Sequence, residues 1–283
     1  MTKQPNQKSH HGKTQKNQFE TIWSDPKFDL KKLEQLKLGD KFIMGDLGYR
    51  EYLVSWVSDM IDKASTLEPL NILDLGCGNM RLGRALNKRR LNAKKYNYIG
   101  IDKIDFTQEL STASCLFTQY DVMKFEKILG RQDKDLIVCA GLIAYLKKSD
   151  IFSLFKKTFR VLKPGGIMIF NLPHPDLHKP KNANNQSDPT WMRVIPKISD
   201  GFLYEMQHFD SLGNSFIANI QRLDLELLNK FLESIGFKVL KVEEYKNLLK
   251  AFYKNQHLQS LNEDELKRLA DQNAHIVYFL EKM

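Results

Sequence analysis

Two rhythms of apolar and polar positions alternate along this chain. Apolar runs of strand length are LNILDL (70–75), YNYIGID (96–102), CLFTQYD (115–121), DLIVCA (135–140) and GIMIFNL (166–172). Segments with helical spacing lie between them, near 81–91, 104–112 and 149–162. Near-continuous apolar strands alternating with helices predict βαβ units and a parallel sheet covered on both faces. KPGG (163–166) is expected to stop the preceding helix and turn it into the fifth strand.

The pattern differs on either side of this block. Residues 19–68 carry helical spacing twice, in FDLKKLEQLKL and YREYLVSWVSDMIDKA, with a glycine break at GDLGY (45–49). They predict a small N-terminal helical cap. After the fifth strand, PHPDLHKPKNANNQSDPTW (173–191) reads as a loop with four prolines. GFLYEMQHF (201–209) and NSFIANIQRL (214–223) flank a Ser-Leu-Gly turn and predict a β-hairpin. LELLNKFLESIGF (225–237) is a helix that ends at Gly236, FKVLKVEEY (237–245) a strand, LNEDELKRLADQN a helix, and AHIVYFLEK (274–282) a last strand. No repeat of 20–50 residues is evident.

Composition narrows the class. The 283 residues are 42% hydrophobic and 27% charged, which suits a globular chain with a sizeable core. No apolar run approaches the ~18 residues of a membrane span, and the first twenty residues are polar and basic, unlike a secretory signal. Cys77, Cys115 and Cys139 have neither disulfide-framework nor zinc-site spacing, so no metal is expected and a reducing, cytoplasmic setting is the default. The net charge is +9, of which Lys3, Lys8, Lys13 and Lys16 supply four. Residues 1–18 therefore read as a disordered basic tail. Such a tail can touch nucleic acid or anionic lipid, but a solubilising terminus explains it more simply.

NILDLGCGNMRLG (71–83) carries the chemistry. A strand runs into Gly76 and Gly78, and a helix follows. The third glycine of a nucleotide loop is missing on both common spacings, since Met80 and Arg81 stand there. Asp74 precedes the glycines, where a phosphate ligand would disfavour a carboxylate and a ligand ammonium group would welcome one. Asp102 ends the second strand, 24 residues after Gly78, in place for ribose hydroxyls. Asp121 ends the third and is in reach of an adenine amino group. There is no G-x-x-x-x-G-K-[ST].

On LDLGCG (73–78), YIGIDK (98–103), TQYDV (118–122), DLIVCAGLIAYL (135–146) and LKPGGIMIF (162–170), the chain resembles the class I S-adenosylmethionine-dependent methyltransferases from about residue 50 onward. The resemblance implies an α/β fold. Its core is a seven-stranded, mostly parallel, doubly wound sheet whose last strand inserts antiparallel. It also implies S-adenosylmethionine as cofactor. Asp74, Gly76, Cys77 and Gly78 then hold the methionine end, Asp102 with Lys103 the ribose, and Asp121 with Val122 the adenine. Ala140 and Gly141 line the site after strand four. Gly83 is assigned to helix–sheet packing. The expected organisation is a tail (1–18), a helical cap (19–68) and the methyltransferase domain (69–283), with an acceptor-site insert over about 174–223.

The acceptor is less legible. Methyl transfer from a sulfonium depends mostly on alignment, and a base is needed only where the acceptor must lose a proton. AGLIAYL stands where relatives that methylate exocyclic or amide nitrogens often carry N/D-P-P-Y/F after strand four, which disfavours adenine-N6 and glutamine methylation, and NLPHP (171–175) follows strand five instead. His174 and His208 are the candidate bases. Tyr49, Tyr204 and Glu205 are candidate substrate contacts, with Tyr204 and His208 on one face of the hairpin and Glu205 on the other. The hairpin before the penultimate helix, with Gln221–Arg222 at its end, resembles small-molecule methyltransferases and favours a small organic acceptor, O-methylation being the commonest case. The rivals are an RNA methyltransferase, suggested by the net charge of +9 and the basic stretch 147–163, a protein methyltransferase, and a cofactor-binding protein without catalysis.

Overall fold

The computed structural model describes residues 52–64, 68–78, 80–88, 95–103, 115–129, 132–173, 193–196, 203–209, 215–221, 223–244, 247 and 275–283. Helix α1 (52–63) leads into β1 (Leu70–Leu75), α2 (Arg81–Lys88), β2 (Tyr96–Asp102), β3 (Cys115–Gln119) and β4 (Lys134–Cys139). Then come α3 (Lys148–Val161) and β5 (Leu162–Pro173), followed by β6 (Arg193–Pro196), β7 (Leu203–Phe209) and β8 (Ser215–Gln221). Last are α4 (Leu225–Ser234), β9 (Phe237–Glu244) and β10 (His275–Lys282).

Seven strands form one sheet in the order β3-β2-β1-β4-β5-β10-β9. Neighbours from β3 to β5 are parallel, and β10 runs antiparallel between β5 and β9. This is the sheet the resemblance implies, with the last strand inserted.

Strand alternation divides the core in two. Ile72, Leu136, Val138, Ile169, Val277 and Phe279 face one layer, where α1 contributes Leu53, Val54, Val57 and Ile61, and α2 contributes Leu82 and Leu86. Leu73, Leu75, Ile137, Met168, Phe170 and Tyr278 face the other, closed by Ile151, Leu154 and Phe155 of α3 and by Leu228 and Leu232 of α4. The central strands are apolar at both parities because both faces are covered. Helix α1 is thus a layer of the sheet domain, with Trp56 tilted against Phe279 at 5.5 Å. The rest of the expected cap, the tail, and the helices expected near 104–112 and in LNEDELKRLADQN lie outside the described residues.

Two local features differ from the sequence reading. KPGG sits inside β5 as a bulge. The pairing jumps from Lys134↔Leu162 to Leu136↔Ile167, and Gly165 takes the left-handed φ of +75° that the extra residues require. The expected hairpin is a three-stranded antiparallel sheet, β6-β7-β8, because RVIP adds a strand alongside β7. Pro196 at the end of this short edge strand masks its β character in sequence.

Candidate functional site

The parallel strands β1 to β4 end on one edge of the sheet, and the residues singled out from the sequence cluster there. In an open α/β sheet this is the edge that receives ligands. Asp74, Gly76, Cys77 and Gly78 leave β1, Asp102 and Lys103 end β2, Asp121 and Val122 follow β3, and Ala140 and Gly141 follow β4.

Backbone hydrogen bonds fix the glycine loop. The Gly76 and Cys77 N–H groups donate to the Ile101 carbonyl at 2.8 and 3.2 Å, and the Gly78 N–H donates to Oδ2 of Asp102 at 2.9 Å. Gly76 and Gly78 have φ of +71° and +52°, which glycine adopts without strain. A Cβ on Gly76 would also meet the Leu142 side chain at 3.0 Å, whereas one on Gly78 or Gly141 would meet nothing within 4 Å. The backbone at Gly78 and Gly141 therefore borders open space.

Met80, where a third glycine is missing, keeps a left-handed φ of +55°. Its side chain is buried in the layer with Leu82 and Leu86. The departure exchanges backbone comfort for core packing. Gly83 has the packing role expected of it, since a Cβ there would lie 2.8 Å from Cε1 of Tyr98.

Electrostatics at this edge centre on Asp74, which is 5% exposed. Tyr98 Oη donates to its Oδ2 at 2.5 Å. Burial pushes the Asp74 carboxyl up to about 7; the Tyr98 hydrogen bond pulls against that rise and the charge of Asp102 adds to it. The Cys77 thiol is pushed well above its ordinary range by burial and by the charges of Asp74 and Asp102, so it is no nucleophile. Asp121 caps the 3₁₀ turn Val122–Lys127: its Oδ1 accepts the Met123 N–H at 2.9 Å, and its Oδ2 lies 3.8 Å from Lys124 Nζ. Gly141 has φ of +75°, and its N–H donates to Oδ1 of the buried Asn171 on β5 at 2.6 Å. Neither Tyr98 nor Asn171 stood out in the sequence. Tyrosine in a strand reads as core filling, although a buried phenol needs a partner.

Three carboxylates and a glycine cradle suit a ligand with ammonium and hydroxyl groups and disfavour phosphates. Among the described residues, no group of three or more His, Cys, Asp or Glu side chains is arranged to hold a metal ion, and no helix is long and apolar enough to cross a membrane.

The acceptor-side candidates divide differently. Tyr204, Glu205 and His208 all lie on β7, opposite Ile220, Asn219 and Phe216 of β8 in unbroken register. Strand β8 runs beside the 3₁₀ turn Ile143–Tyr145 that follows β4. His174 and Tyr49 lie outside the described residues.

Known proteins share this fold. Residues 72–166 match a family model described as a methyltransferase domain. The Bacillus subtilis protein YqeM, an inferred methyltransferase, is 31% identical over 201 residues, which are 66% of this chain and 74% of that protein. Among solved structures, an S-adenosylmethionine-dependent methyltransferase of Mesorhizobium loti superposes with a TM-score of 0.51 at 15% identity, over 78% of this chain and 94% of that one. The 1,6-didemethyltoxoflavin N1-methyltransferase of Burkholderia thailandensis, solved with its substrate and S-adenosylhomocysteine, superposes with a TM-score of 0.52 at 11% identity, over 100% of this chain and 93% of that one.

Proposed function

Because this chain belongs to the class I S-adenosylmethionine-dependent methyltransferases, we propose that it methylates a small organic molecule, most simply at oxygen, held between the strand ends of the main sheet and the sheet β6-β7-β8. The observation that carries this reading is the course of β8 beside the turn 143–145, which follows β4 at the same sheet edge as Asp74, Asp102 and Asp121. A second sheet at that edge favours a small ligand over a polymer as the acceptor. The Burkholderia 1,6-didemethyltoxoflavin N1-methyltransferase has the same overall fold.

S-adenosylmethionine supplies a methyl group already activated on its sulfonium. The chain's task is to bind, orient and exclude water. Asp74 faces the ammonium of the methionine end, with the backbone of Gly76, Cys77 and Gly78 around it. Asp102 accepts from the ribose hydroxyls, flanked by Lys103. Asp121 and Val122 take the adenine edge, and Ala140 and Gly141 line the cleft. Where the acceptor is a hydroxyl, His174 or His208 removes its proton, and Tyr204, Glu205 and Tyr49 contact the acceptor. A base in this role contributes about 10²–10⁴-fold, so replacing it lowers kcat by that order and leaves cofactor affinity unchanged.

A solvated helix face explains the basic stretch without RNA. Three of its described lysines have local partners: Lys157 donates to the Met123 carbonyl, Lys156 lies over the Phe231 ring, and Lys163 pairs with Asp135 at 2.8 Å. The test is a turnover screen with methyl-labelled S-adenosylmethionine against small hydroxyl and amine compounds, RNA and protein extracts. Label in a small organic product, with stoichiometric S-adenosylhomocysteine, supports the proposal. Label in RNA or protein alone refutes it.

A further inference from the structure

Tyr98 of β2 reaches across to Asp74 of β1 through a buried side-chain hydrogen bond. In the parallel register Asp74 lies beside Gly100, and Tyr98 lies two residues back on the same face of β2. Gly100 has no side chain, so the phenol extends past it to Oδ2 of Asp74 at 2.5 Å. A Cβ on Gly100 would meet Tyr98 Cε1 at 3.3 Å and Cys77 Sγ at 2.8 Å, and one on Gly83 would meet Tyr98 Cε1 at 2.8 Å. Neither glycine has a left-handed φ. Their smallness makes a slot for this ring, between helix α2 and the strand. Tyr98 is about 1% exposed.

We propose that Tyr98 is a positioning residue of the cofactor site: held in the slot between Gly83 and Gly100, its phenol orients Asp74 and keeps that carboxylate charged toward the ammonium group of the cofactor. This rests on the reading that Asp74 holds the methionine end. The physics is direct. Asp74 is buried, so its charged form lacks water. The ionisable groups around it are Tyr98 and Asp102 of β2, Cys77 of the loop and Cys139 of β4. Asp102 repels the charge, and both thiols stay protonated because burial and Asp74 itself push them up. Tyr98 is therefore the group among these that stabilises the carboxylate, by donating a hydrogen bond to it. Without that donor Asp74 takes up a proton at higher pH and its attraction for an ammonium group fades.

The experiment is a calorimetric titration of the full chain with S-adenosylhomocysteine, which carries the same amino-acid end, at pH 6 to 8.5. Wild type, Tyr98→Phe, Gly83→Ala and Asp74→Asn are compared. Tyr98→Phe is expected to bind about tenfold or more weakly at pH 6 and within a few-fold of wild type at pH 8.5, since one unit of displaced ionisation is a tenfold change in the charged fraction. Gly83→Ala, which crowds the ring, should lose affinity with the same pH trend. Asp74→Asn should bind weakly with no such trend. A loss that is equal at every pH, or no loss, overturns the role of Tyr98. If Asp74→Asn binds like wild type throughout, the reading of Asp74 fails instead. Should neither Tyr98→Phe nor Gly83→Ala fold, NMR of the cofactor-free wild type with labelled tyrosine decides. A Tyr98 phenol signal that shifts as the Asp74 carboxyl titrates upholds the proposal, and a Tyr98 signal indifferent to the charge on Asp74 overturns it.

Discussion

The Gly78 N–H donates to Oδ2 of Asp102 at 2.9 Å, joining the loop after β1 to the end of β2. One carboxylate thus shapes the glycine loop and stands at the ligand edge of the sheet. The two residues are 24 positions apart, a spacing visible in the sequence, while the bond between them is not.

This bond carries a stability consequence that is separate from ligand binding. Asp102→Ala leaves the part-buried Gly78 N–H without its acceptor, which costs about 1–3 kcal/mol. Asp102→Asn retains a neutral acceptor and should lose less. Urea unfolding of the cofactor-free protein checks both, and an Asp102→Ala midpoint equal to wild type would contradict the tie.

Met80→Gly tests the departure at the third glycine. Glycine relieves the φ of +55°, worth roughly 1–2 kcal/mol, but deletes a buried methionine side chain, worth about 2–5 kcal/mol. The variant should be less stable by up to about 4 kcal/mol on these figures. It should bind S-adenosylhomocysteine as well as wild type. A stabilised Met80→Gly protein in thermal melts would show that the side chain contributes little packing.

Asp74 makes stability depend on pH with a definite sign. Its carboxyl rises from 3.8 to about 7 on folding, so between those values the folded chain holds a proton that the unfolded chain releases. Stability from this group is therefore full below about pH 4 and is lost as pH rises toward and through 7. Asp74→Asn removes that slope. Relative to wild type, the cofactor-free variant should gain on the order of 2 kcal/mol between pH 5 and pH 8. Urea midpoints at the two pH values measure it, and a constant difference would contradict the raised carboxyl of buried Asp74.

Removal of residues 1–18 should leave cofactor affinity and small-molecule turnover within twofold of the full chain, as expected for a solubilising basic tail (an order-of-magnitude allowance for such charge runs). Parallel kinetics on the two proteins check it. A large loss of turnover would assign the tail to the site.

The sheet was legible because its strands are long apolar runs bounded by acids and glycines. LNILDL, YNYIGID and DLIVCA end within a residue or so of β1, β2 and β4. The acids Asp74, Asp102 and Asp121 were legible for the same reason, since a charge that ends an apolar strand stands out. What failed to show depends on pairing in three dimensions. RVIP is too short, and too marked by proline, to read as a strand without β7 beside it. The bulge at KPGG is set by the register with β4. The partnership of Tyr98 with Asp74, and the space that Gly83 and Gly100 leave for it, arises only when β1, β2 and α2 pack. Asp121 was read for its ligand role alone, yet its carboxylate also caps the turn at Val122.

The most direct test of the account is calorimetric titration of S-adenosylhomocysteine into wild type and Asp102→Ala at pH 8. The account predicts one site per wild-type chain and a loss of about tenfold to hundredfold in the variant, since hydrogen bonds from ribose hydroxyls to a charged acceptor contribute roughly 1.5–3 kcal/mol each. Equal affinity in the two proteins would contradict it.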